Sequence, residues 1–190
     1  MAFLYNQTTR KILLSIILLW GLFSFYYLNQ DNWTIVTPMI LLSVLGLIFI
    51  FREMSAIFLL LLLSFTTSYA FYVFLFLFSL PSWLIMIGIL VIFGYLFTYT
   101  EQKIGILGNK RLIYLVLFSM IILEVFLSLG YFLINPISQS LIITAISYFF
   151  VGFCYTVLAK HTDNRFITYI LITFAIIVLT LLISRWGGLG

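Results

Sequence analysis

The sequence is short of almost everything that enzymes use for chemistry. It holds one histidine, one cysteine and five acidic residues among 190. One His and one Cys cannot build a zinc site alone. The lone Cys154, inside an apolar run, excludes an intrachain disulfide. Charged residues are 7% of the chain, where a soluble domain carries roughly 25%. Proline occurs three times, at Pro38, Pro81 and Pro136, so long stretches run uninterrupted. Hydrophobic residues fill 65% of the chain, and its mean hydropathy is +1.28. The outer layer of a soluble domain must be largely polar, and this composition cannot supply one. Lipid as the solvent removes the conflict.

A membrane-crossing helix takes ~20 mainly apolar residues. The pattern predicts an all-α, single-domain bundle of seven transmembrane helices over 1–190, at about 11–28, 33–51, 54–79, 83–100, 112–134, 140–159 and 166–184. Little is left over for a soluble catalytic domain. The first run follows Arg10 and Lys11 as a signal peptide would. Its end, however, is Phe25-Tyr26-Tyr27-Leu28 rather than a small-residue cleavage site, so it reads as a retained helix.

Nine cations mark the ends of these runs: Arg10, Lys11, Arg52, Lys103, Lys110, Arg111, Lys160, Arg165 and Arg185. If each run crosses once, all but Arg185 gather on one face. Short loops rich in Lys and Arg stay cytoplasmic, which predicts the N-terminus inside and the C-terminus outside. The net charge of +4 is then a topology signal rather than a nucleic-acid footprint. It also favours anionic lipid headgroups at the inner face. The order divides into helices 1–3 and 5–7 with helix 4 as connector. Parallel repeats of this kind occur among transporters, but any seven-helix chain divides so, and the layout names no family.

Glu124 is the one charged residue placed mid-helix, in Leu123-Glu124-Val125 of helix 5. An acidic residue at that depth costs about 2.5–3.5 kcal/mol. The expectation is a side chain turned into the bundle, carried as a neutral hydrogen-bond donor because apolar surroundings penalise a charged carboxyl. Hydroxyls at similar depth are its expected neighbours: Thr66, Thr67 and Ser68 on helix 3, Ser147 and Tyr148 on helix 6, Thr173 on helix 7. With Glu124 they form a candidate ligand or proton site. The competing reading is that each hydroxyl bonds its own backbone or binds helices together.

The inside turn after helix 6 holds His161, Asp163 and Arg165. His and Asp can share acid–base work, yet a short loop of this kind also serves topology alone. Gly105 and Gly108 lack the spacing and the following Lys-Ser/Thr of a phosphate-binding loop. Helix 7 has no lysine for a retinal Schiff base. No helix holds the serine–histidine pair or the paired aspartates of intramembrane proteases, nor the several histidines of zinc-dependent seven-helix proteins.

These features point to a prokaryotic inner-membrane protein without cofactor or metal. The leading expectation is a small-solute or ion permease with Glu124 at its binding or protonation site. The alternative is a non-catalytic structural subunit or assembly factor, with a membrane-protein partner or a homo-oligomer. A lipid-modifying enzyme stands third.

Overall fold

A computed structural model describes residues 7–105, 110–132, 134–158 and 165–184. Its helices are α1 (Gln7–Asn29), α2 (Trp33–Arg52), α3 (Ala56–Phe76), α4 (Ser82–Ile104), α5 (Arg111–Gly130), α6 (Pro136–Phe153) and α7 (Arg165–Ile183). A π-helical turn, Cys154–Leu158, continues α6. All seven helices are long and apolar enough to cross a membrane, and the described residues contain no strand. The chain is a multi-pass membrane protein.

The ends of the helices differ from the sequence expectation in both directions. α1 begins at Gln7 and α4 runs on to Ile104, so Arg10, Glu101 and Lys103 are helical rather than loop residues. Hydropathy marks only the part of a helix that lies in hydrocarbon, whereas backbone hydrogen bonding continues into the headgroup layer. α4 then stops at Gly105, whose φ of +72° suits glycine and whose N–H donates to the Glu101 carbonyl. α3 and α5 end earlier than expected, at Phe76 and Gly130. Ser55 and Asn135 cap α3 and α6, accepting from the N–H groups of Phe58 and Ile137. Glu53 adopts φ 53° in the tight α2–α3 turn.

α3 is the hub. It packs on α1, α2, α4 and α6, and is buried through most of its length. Lipid is as apolar as leucine, so contact here comes from close packing rather than from escape from water. Small residues let the backbones approach. A Cβ at Gly21 of α1 would lie 2.5 Å from the Thr66 Cβ of α3, and one at Gly88 of α4 would lie 2.7 Å from the Phe71 ring. Aromatic rings fill the rest. Phe97, Phe118 and Phe150 bring α4, α5 and α6 together at centroid distances of 4.9–5.7 Å.

The two triplets are not alike in packing. α1, α2 and α3 touch one another, whereas α7 rests on α6 and the π turn and shares no comparable contact with α5. The buried residues of α7 are hydroxyls, Thr173 and Thr180.

Candidate functional site

The placement of Glu124 follows from its neighbours on α5. Phe118, Ile122, Phe126 and Leu129 are the buried stripe, at helical spacing. Phe126 stacks on Tyr72 of α3 with ring centroids 4.1 Å apart, and its carbonyl accepts a 3.1 Å hydrogen bond from the Tyr72 hydroxyl. At ~100° per residue, Glu124 lies nearly opposite Ile122 and Phe126. It is exposed on the outer face of α5, without a hydrogen bond or ion pair among the described residues. The expectation that it turns inward is therefore corrected. Leu117, Met120 and Ile121 precede it on that exposed face and Ser128 follows one turn on.

Five of the six hydroxyl residues are buried and Tyr148 is half-buried, but none meets the carboxyl. Thr66, Thr67, Ser68 and Ser147 are fully buried. Three of them bond the backbone of their own helix: Thr66 to the Leu63 carbonyl at 3.3 Å, Ser68 to Ser64 at 2.6 Å and Ser147 to Ile143 at 2.9 Å. Thr67 and Thr173 are buried with hydroxyls that find no partner, and Ser64 joins them. Tyr148 packs its ring on Tyr169 of α7 at 5.0 Å. Glu124 faces away from this set, so the structure does not assemble the two halves of the expected site.

His161 and Asp163 lie outside the described residues, as does the side chain of Arg165, which opens α7. No group of three His, Cys, Asp or Glu suited to a metal occurs among the described residues.

The sequence reading missed a polar cleft at the cation-rich end of the bundle. Gln7, Arg10 and Lys11 from α1, Glu53 from the α2–α3 turn, and Tyr99 and Lys103 from α4 surround a shallow opening of about 10 Å³, room for one water, above Leu14 and Ile50. Glu53 is its centre. Lys103 reaches one carboxylate oxygen at 2.5 Å, while Lys11, at 3.2 Å, and the Gln7 amide reach the other. The Lys103 ammonium holds the Glu53 carboxyl below its ordinary value of 4.5, with burial opposing and Lys11 assisting. Arg10 instead donates to the Gln102 side chain at 3.0 Å, and its Nε is buried without an acceptor. Nearby, Arg111 pairs with Glu101 at 3.0 Å and donates to the Thr98 carbonyl, tying the start of α5 to the end of α4. The signal in the sequence was the Arg52-Glu53 turn, an acidic residue on an otherwise cationic face.

No protein-family model, curated protein or solved structure matches this chain. Function rests on its own residues.

Proposed function

We propose that this membrane protein is a non-catalytic structural subunit that assembles through α5, its first partner being a second copy of the chain. The observation that carries the reading is the exposure of Glu124 at membrane depth. A carboxyl facing hydrocarbon costs about 2.5–3.5 kcal/mol, which a covering helix with a polar group at that depth recovers in part. Two copies share one orientation in the bilayer, so a two-fold axis along its normal brings like residues together at equal depth. Glu124 then meets its own counterpart and the exposed Ser128 one turn away, with Leu117, Met120 and Ile121 supplying the apolar flank. A carboxyl and a hydroxyl can hydrogen-bond to each other directly, so the contact needs no cation.

Oxidative cross-linking in native membranes tests this. A cysteine at Ser128 should give a disulfide-linked dimer, while one at the exposed Leu141 of α6 should not. Glu124→Leu should reduce the Ser128 cross-link severalfold and Glu124→Gln should keep it. Equal cross-linking at both positions, or indifference to Glu124→Leu, would overturn the reading. Disulfide linkage of Ser128 to a different protein would replace the second copy by a heterologous partner.

A permease is the second reading, favoured by the unpartnered hydroxyls of Ser64 and Thr67 in the centre of the bundle. Its mark would be solute or ion flux in proteoliposomes that Thr67→Val abolishes in a folded protein.

A further inference from the structure

The cleft around Glu53 is built for more charge than it contains. Its lining brings three cations, Arg10, Lys11 and Lys103, against one carboxylate. Glu53 is saturated, since both of its oxygens are taken by the two lysines and the Gln7 amide. Arg10 is left over. Among the described residues no carboxylate pairs with it, its one side-chain acceptor is the neutral amide of Gln102, and its Nε–H is buried without a protein acceptor. The guanidinium charge is thus left without a counter-charge from the chain, and an anion at the rim would supply one.

We propose that the cationic rim of this cleft binds the phosphate of an anionic lipid headgroup. Guanidinium and phosphate match in geometry as well as charge, because the edge of the fork offers parallel N–H donors to two oxygens. Lys11 and Lys103 stand on either side of Glu53 and supply further positive potential, and the Tyr99 side chain lines the same wall. Position selects the source of the phosphate. The cleft lies at the cation-rich ends of apolar helices, with Leu14 and Ile50 beneath the charges, so a headgroup at its rim would leave its acyl chains beside the bundle. The site sits on α1, α4 and the α2–α3 turn and owes nothing to the exposed face of α5.

The full-length protein in mild detergent, offered phosphatidylglycerol or phosphatidylcholine and analysed by native mass spectrometry, reads out the site. Phosphatidylglycerol should be retained at least about fivefold over phosphatidylcholine, about what one basic residue near an anionic surface contributes. Arg10→Gln should remove that preference. Glu53→Gln should strengthen it, because the competing carboxylate is gone; an ion cluster with no ligand would only lose stability. If Arg10→Gln fails to fold, Lys103→Gln should lower retention in the same sense. Equal retention of the two lipids, or retention indifferent to Arg10→Gln and Glu53→Gln, would overturn the proposal. Displacement of the lipid by millimolar inorganic phosphate would overturn the lipid source and make the ligand a soluble anion.

Discussion

The Tyr72 hydroxyl donates 3.1 Å to the carbonyl of Phe126 while the two rings stack 4.1 Å apart, and this contact joins Phe118, packed on Phe97 and Phe150, in setting the rotation of α5. Its consequence lies on the far side of the helix. With Phe126 held inward, Glu124 is turned out, and the one mid-helix acidic side chain among the described residues is a surface group rather than a core one.

Tyr72→Phe should therefore cost about 0.6 kcal/mol, the mean for a hydrogen bond between transmembrane helices. Tyr72→Ala also removes the stacked ring and should cost about 3 kcal/mol or more. Equilibrium unfolding in mixed micelles separates the two. If Tyr72→Phe destabilises as much as Tyr72→Ala, the hydroxyl holds more than this pair.

At the α1–α3 crossing, Gly21→Ala puts a Cβ 2.5 Å from the Thr66 Cβ and 2.9 Å from its carbonyl. Neither is a flexible end that can swing aside, so the helices must separate, at about 1–3 kcal/mol. Gly94→Ala is the control. Its Cβ would meet the Ser119 hydroxyl at an ordinary 3.5 Å, and alanine in place of a helical glycine should gain up to about 1 kcal/mol. Opposite signs in thermal melts are expected, and equal shifts would refute the close approach.

Class and helix number were legible in the sequence, because hydropathy over a span reports whether a helix suits lipid. The side that each helix buries was not. α5 carries Leu, Ile, Val, Phe or Met at nearly every position, so no apolar stripe distinguishes the face toward α3 from the face toward lipid. Glu124 was thus placed on its helix but assigned the wrong direction. The cleft was missed for a different reason: Arg10, Lys11 and Lys103 were counted as topology signals, and only tertiary contact brings them to Glu53 across 40 residues or more of sequence.

The cation bias also predicts orientation. Cysteines placed at Lys11 and after Gly190 should label from opposite sides, Lys11 from the cytoplasm. Labelling of both positions from one side would refute a chain that crosses seven times.

Glu53 makes the cation-rich end sensitive to acid. Its carboxyl is held below 4.5 in the folded protein by Lys103 first and Lys11 with it. A depressed carboxyl stabilises the fold above its unfolded value and loses that contribution as pH falls through the folded one. Melting temperature should therefore drop as pH falls below about 4.5, modestly because the cluster is partly in water and screened by salt. Glu53→Gln should flatten that part of the profile. Identical profiles for the two proteins would remove Glu53 from the account.

The buried hydroxyls of α3 can be separated by their partners. Ser68 bonds the Ser64 carbonyl, whereas Thr67 and Ser64 bury hydroxyls that meet no acceptor. An unsatisfied buried hydroxyl costs about 1–3 kcal/mol, and replacing it by an apolar group of the same shape returns that cost. Thr67→Val keeps the branched shape, so it should leave stability unchanged or raise it, and Ser64→Ala should behave similarly. Ser68→Ala should lose a little, because it gives up a bond already made. If instead Thr67→Val loses stability or abolishes solute flux while remaining inserted, Thr67 holds a water or solute in the centre of the bundle. That result would return the permease reading to first place.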